Sequence, residues 1–259
     1  MVAYIYKYKH TRNMVKKYKN VVVLGCSFSD YTGHPPATYG QLLADKFDSR
    51  FMDLTAGCGS NERIHRVLLH GLRNNLITDE DLVVIQYTNP ERREFTIRRS
   101  LLQYHDKTKP YPDYYNSDYK GRDLCDLNEI YTELYGLVKY KVDAHEWHKG
   151  KAKDFLKTFT DNHLCLEYQA EIFLNYHEGI TSSLKYRNID TLILYTPYIH
   201  YHPFEEIANI LKEGQNIFNA KELLFRDPNS YEKYWLEDKA HINYAGHNLL
   251  AEEVYKFLV

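Results

Sequence analysis

The chain has 259 residues, 44% hydrophobic content and a formal net charge of −2. That length suits one large globular domain, and the balance of apolar and charged residues excludes a disordered chain and a strongly basic nucleic-acid binder. No apolar run approaches the roughly 20 residues that a bilayer span needs. The amino terminus also lacks the apolar core of a secretion signal, so the chain reads as cytoplasmic, or exported without a classical signal peptide.

In chain order, the first twenty residues are basic and aromatic ("YIYKYKHTRNMVKKYK") and read as a solvated arm leading into the first strand, or else as a nucleic-acid or anionic-surface contact. "VVVLGCSFSDYTG" follows. The four branched apolar residues Val21 to Leu24 predict a strand covered on both faces, as in parallel sheets, and ligands in such sheets bind beyond the carboxyl ends of the strands. The run stops at Gly25-Cys26, which delivers the hydroxyl of Ser27 to that edge. A proline-containing loop and an amphipathic helix from about Ala37 to Phe47 come next, with Leu42, Leu43 and Phe47 at helical spacing. "RFMDLTAGCGSNERIHRVLLHGL" repeats the plan: a short strand near Phe51 to Leu54, a glycine-containing turn, and a helix carrying Ile64, Val67, Leu68 and Leu72. "DLVVIQYT" is the clearest strand of the chain and "TLILYTP", near Thr191, is the fourth. Strands alternating with helices predict an α/β three-layer sandwich around a central parallel sheet of about five strands.

Between about residues 91 and 187 the pattern changes. A polar, turn-rich stretch precedes "LNEIYTELYGLVKY" and "HLCLEYQAEIFLNYHEGI", which both read as helices. The segment is expected to be a helical insertion between strands three and four, either covering a site or serving as a long crossover. The whole of 1–259 is thus expected to form one domain bearing a basic arm (1–20) and this insertion.

Near the carboxyl terminus, "LEDKAHINYAGHNLLAEEVYKFL" places Asp238 three residues before His241, ahead of a helix from about Ala245 to Phe257. A single turn there brings the carboxylate beside the imidazole. The carboxylate can then orient the ring and stabilise its protonated form while the other ring nitrogen faces a serine.

These blocks together resemble the SGNH, or GDSL-type, hydrolase superfamily. Gly25-Cys26-Ser27-Phe28-Ser29 is similar to its nucleophile block, and Asp238-Lys239-Ala240-His241 to its carboxyl-terminal Asp-x-x-His block. "DLTAGCGSN" and "DLVVIQYTNP" fall where the family carries its glycine block and its strand-three block. The resemblance covers about Val21 to Thr88 and Asp190 to the end. It implies a flavodoxin-like SGNH fold and a carboxylic ester hydrolase with Ser27 as nucleophile, His241 as base and Asp238 as orienting carboxylate. The backbone N–H groups of Ser27 and of Gly57 or Gly59 would form an oxyanion hole, joined by one asparagine. The family's strand-three glycine is missing here and Asn89 meets the expected asparagine after a one-residue shift. Asn61 is the rival donor, its other reading being a helix cap.

Other residues fit less specific roles. Arg92 stands just past strand three, where it can bind an anionic substrate or pair with Glu94. His200 and His202 follow strand four as cleft-lining residues; a metal role lacks a third ligand, so no metal is assigned. Cys26, Cys58, Cys125 and Cys165 form neither a disulfide framework nor a metal spacing and read as reduced thiols. Cys26 and Cys58 are expected to lie near the site, as packing residues or as an oxidative pair. The reaction calls for no cofactor. The 25 tyrosines suit an O-acyl or O-acetyl carbohydrate, although tyrosine is also an ordinary core-edge residue. The expected partner is a small-molecule or glycan ester, not nucleic acid, and no oligomeric state is implied. The alternative is a non-catalytic glycan-binding or structural component of a larger assembly on the same fold.

Overall fold

The structure, a computed structural model, describes residues 16–29, 37–55, 60–88, 93–96, 137–140, 166–196, 216–237 and 241–259. Strand β1 (Asn20–Leu24) is buried along its whole length. Helix α1 (Tyr39–Lys46) and strand β2 (Arg50–Asp53) follow, then helix α2 (Asn61–Arg73) and strand β3 (Leu82–Gln86), which is also buried throughout. Strands β4 (Arg93–Thr96) and β5 (Leu137–Tyr140) precede the long helix α3 (Leu166–Tyr186) and strand β6 (Asp190–Tyr195). Strand β7 (Ile217–Asn219) runs directly into helix α4 (Ala220–Phe225), and helices α5 (Ser230–Tyr234) and α6 (Tyr244–Leu258) end the chain.

The main sheet has five strands in the order β2-β1-β3-β6-β7. All its pairings are parallel, Val21 standing opposite both Phe51 and Leu82, and Val84 opposite Leu192. This is the three-layer α/β sandwich that the strand and helix alternation predicts. Because side chains alternate across a strand, Val22 and Leu24 feed one core with Ile64, Leu68, Phe173 and Ile180 of α2 and α3. Val21 and Val23 feed the other core with Leu43, Ala44, Leu250 and Val254 of α1 and α6. Asp48, Asn75 and Asn188 follow α1, α2 and α3 with φ of 53°, 55° and 56°, the left-handed conformation in which short polar side chains commonly end helices.

The structure departs from the sequence expectation in two details. The stretch 127–140 is not helical throughout, because Leu137–Tyr140 forms β5, paired antiparallel with β4. The insertion therefore holds a two-stranded ribbon besides its helix, and ladder bonds across that sequence gap leave no trace in local periodicity. The helix expected over 163–180 runs instead from Leu166 to Tyr186. The fifth strand is the three-residue Ile217–Asn219, too short to show a period of its own. Among the described residues no helix is long and apolar enough to cross a membrane.

Candidate active site

Ser27 sits on a turn immediately beyond β1. The turn is closed by the Ser29 N–H donating to the Cys26 carbonyl at 2.9 Å, which makes Ser27 and Phe28 its central residues. Cys26, Phe28 and Ser29 are buried, while Ser27 is half-buried. The turn therefore holds its neighbours inside and keeps the serine hydroxyl's residue at the surface of the sheet edge.

Gln86, the last residue of β3, clamps both ends of that turn. Its Oε1 accepts the Cys26 N–H at 3.0 Å and the Ser29 hydroxyl at 3.1 Å, and its own amide donates to the Tyr87 carbonyl. Gly25 is what lets the clamp close: a Cβ there would lie 2.7 Å from Gln86 Oε1 and 3.0 Å from Ser29 Oγ. The Ser29 hydroxyl also meets the Tyr39 hydroxyl at 2.7 Å.

His241 stands beside a short antiparallel bridge. Trp235 and Ile242 form an antiparallel bridge, and the Leu236 N–H donates to the His241 carbonyl at 2.8 Å. Asn243 then caps α6 by accepting the Gly246 N–H at 3.0 Å. Ile242 and Trp235 are buried in the same core as Cys26 and Phe28, and the rings of Phe28 and Trp235 lie 6.4 Å apart. Across the start of α6, His247 Nδ1 accepts the Tyr39 N–H at 3.1 Å, and the two rings stack at 6.0 Å. That bond satisfies one of the N–H groups left open at the first turn of α1. The structure thus brings the turn carrying Ser27 and the segment carrying His241 to one face of the sheet. His247 is lowered to about 3, first by burial and then by the nearby charge of His241. Burial pushes the Tyr39 phenol far above its ordinary range, so it stays a donor at any working pH.

Asn61 is not a cap. Ser60 caps α2 by accepting the Arg63 N–H at 3.1 Å, and Asn61 makes a reciprocal pair with the backbone of Thr88 instead. Its Oδ1 accepts the Thr88 N–H at 2.9 Å and its Nδ2 donates to the Thr88 carbonyl at 3.0 Å. One Nδ2 hydrogen serves that pair and the amide carries a second. The Thr196 hydroxyl, beyond β6, donates to the Tyr87 carbonyl at 3.4 Å, and the buried Arg63 donates from Nη1 to the Leu54 carbonyl at 2.8 Å. The carboxyl ends of β2, β3 and β6 are thereby tied to one another and to α2.

Asp238, Gly57, Gly59, Asn89, Arg92, His200 and His202 lie outside the described residues, as do Cys58, Cys125 and Cys165. Cys26 is a free buried thiol. Among the described residues no group of three or more His, Cys, Asp or Glu side chains could hold a metal ion. No sequence motif assigns a role to Gln86, Tyr39 or His247, and Ser29 entered only as a member of the nucleophile block. A signal existed for Gln86, since a glutamine closing a strand as apolar as "LVVIQ" must find partners inside the protein.

The sequence matches no protein-family model and no curated protein. Among solved structures the chain is similar to a lipase from a goat rumen metagenome, at 12% identity and a TM-score of 0.47, over 92% of this chain and 96% of the other. It is similar to an alpha/beta hydrolase enzyme from the metagenome of Lake Arreo, Spain, at 12% identity and a TM-score of 0.49, over 95% and 100% of the two chains. A protein of the G-D-S-L lipolytic family from Desulfitobacterium hafniense shows 12% identity and a TM-score of 0.32, over 93% and 99%. Likeness at this level says nothing of chemistry.

Proposed function

We propose that the chain is a serine hydrolase that cleaves an ester, the substrate being an O-acyl or O-acetyl group on a carbohydrate. The observation that supports this reading is the half-buried Ser27 on a clamped turn at the carboxyl end of a parallel strand, with Phe28 packed in the same core as the bridged Trp235 and Ile242 beside His241. In the mechanism, His241 takes the proton of Ser27 Oγ as that oxygen attacks the ester carbonyl, and the imidazolium then returns the proton to the leaving alcohol. Asp238 holds the imidazole. The N–H groups of Ser27 and of Gly57 or Gly59, with the amide of Asn61 or Asn89, stabilise the oxyanion; each such donor is worth on the order of 10²–10³ in rate. Water then attacks the acyl-serine with His241 as base, the acyl–Oγ bond breaks, and the imidazolium returns the proton to Ser27 Oγ as the carboxylic acid leaves. The carbohydrate assignment rests on the abundance of tyrosine and histidine, 25 and 13 residues, which suit sugar faces and hydroxyls.

The test is labelling of the full chain by a fluorophosphonate probe, with loss of label in Ser27→Ala. Hydrolysis of acetylated sugars in preference to short and long alkanoyl esters supports the substrate class. Absence of labelling in the folded wild-type chain overturns the hydrolase and favours the binding component; labelling with a preference for long-chain esters overturns only the carbohydrate.

A further inference from the structure

The buried polar groups beneath Ser27 form one chain whose protons can be assigned in order. Gln86 Oε1 is an acceptor only, and it takes the Cys26 N–H and the Ser29 hydroxyl hydrogen. With its single hydrogen committed, the Ser29 oxygen must accept in its 2.7 Å contact with Tyr39, so the Tyr39 hydroxyl donates. The Tyr39 N–H in turn donates to His247 Nδ1, which requires the neutral ring with its hydrogen on Nε2. Every group in this chain is buried: Tyr39 and Gln86 are fully enclosed, Ser29 is 1% exposed and His247 2%. The chain begins on the strand beside Ser27, passes through the far end of its turn, and ends in the first turn of the helix that follows His241.

We propose that Tyr39 is a positioning residue whose hydroxyl, through Ser29, holds the turn of Ser27 in register with the segment of His241, resting on the hydrolase reading above. It does not touch the reacting atoms in this scheme; it acts through Ser29 and, by its backbone bond to His247, through the start of α6. The same arrangement suits the reaction electrostatically. Burial keeps His247 uncharged, so it places no positive charge next to the ring that must accept the serine proton. Sub-ångström slack between nucleophile and base is costly, since displacement of about 1 Å can take on the order of 10²-fold from the rate.

The experiment compares wild type, Tyr39→Phe, Ser29→Ala and their double variant. The readouts are the second-order rate of fluorophosphonate labelling, kcat and KM on p-nitrophenyl acetate, and the melting temperature. Tyr39→Phe keeps the ring, the stack on His247 and the backbone bond, and removes the hydroxyl alone. The expected result is a fall of about tenfold in kcat and in labelling rate with KM unchanged, well below the melting temperature. The double variant should be no slower than the slower single variant, because both cut the same chain. Singles that keep wild-type kcat and labelling rate while melting earlier overturn the proposal and leave the chain structural, as do losses that simply multiply in the double. Should Tyr39→Phe not fold, Ser29→Ala alone decides by the same kcat and KM criterion. If wild type itself fails to label, the hydrolase reading falls and this proposal with it; if wild type labels and the variants match it, only this proposal falls.

Discussion

Substituting Gly25 by alanine separates the clamp's demand for space from any demand of the backbone. The φ of Gly25 lies outside the left-handed range, and the conflict is with neighbours: the new Cβ would stand 2.7 Å from Gln86 Oε1, 3.0 Å from Ser29 Oγ and 3.1 Å from Gln86 Cβ. Gln86 can give way only by swinging its oxygen off the Cys26 N–H and the Ser29 hydroxyl, both buried. Overpacking costs about 1–3 kcal/mol, and a buried donor left without an acceptor costs about the same. The expected destabilisation of Gly25→Ala is therefore about 2–6 kcal/mol. Urea denaturation followed by circular dichroism reads this as a midpoint lower by about 1 M or more, for an m-value of about 1–3 kcal/mol/M. In a Gln86→Ala background most of the conflict is gone, so adding Gly25→Ala there should cost no more than about 1 kcal/mol further. A Gly25→Ala protein within about 0.5 kcal/mol of wild type, or losses that add fully in the double variant, would refute the reasoning.

Asn61→Ala should destabilise by at least about 2 kcal/mol in the same urea assay, because both backbone polar groups of Thr88 lose their partner; comparing its turnover with that of Asn89→Ala shows which amide serves the oxyanion. Gly246→Ala would press a Cβ to 2.6 Å from the Tyr234 carbonyl oxygen, whereas at Gly179 the nearest atom is His65 Nε2 at 3.4 Å. Melting should therefore come earlier for Gly246→Ala and stay level or rise for Gly179→Ala, which gains up to about 1 kcal/mol in helix propensity. The pH dependence follows from His247, held at about 3 in the folded protein against an ordinary value near 6.5. Below about pH 6.5 the unfolded chain binds the extra proton, so its contribution is complete above that pH and falls by about 1.4 kcal/mol per pH unit toward pH 3. Burial also lowers His65 and His177, which adds to the same slope just below 6.5. Urea midpoints from pH 7 to pH 4 should show this fall, and His247→Phe should flatten it by about one proton's worth.

Much of the architecture is legible from local order alone. A run such as Val21 to Leu24 has no stable place except inside a doubly covered sheet, and the same holds for Leu82 to Ile85; both are fully buried. The apolar spacing of Ile64, Val67, Leu68 and Leu72 likewise marks the face of α2 that meets the core. The abrupt end of the first run at Gly25 also marks Ser27 as lying at a sheet edge. These features are readable because burial follows periodicity within a few residues. Partner choice is not local, and only the tertiary structure decided it. Gln86 reaches Cys26 across 60 positions and Tyr39 meets His247 across 208, so no window of sequence contains both members of either bond. The β4 and β5 ribbon pairs Arg93 with Tyr140, and β7 joins the sheet through three residues beside Ile193 to Tyr195; both depend on backbone groups that every residue carries. Asn61 makes the same point in one side chain: its type allowed a cap or an oxyanion donor, and the approach of Thr88 from β3 determined which atoms its amide meets. A polar group's chemistry is written in its residue type, but its partner is set by which strands and helices the hydrophobic cores press together.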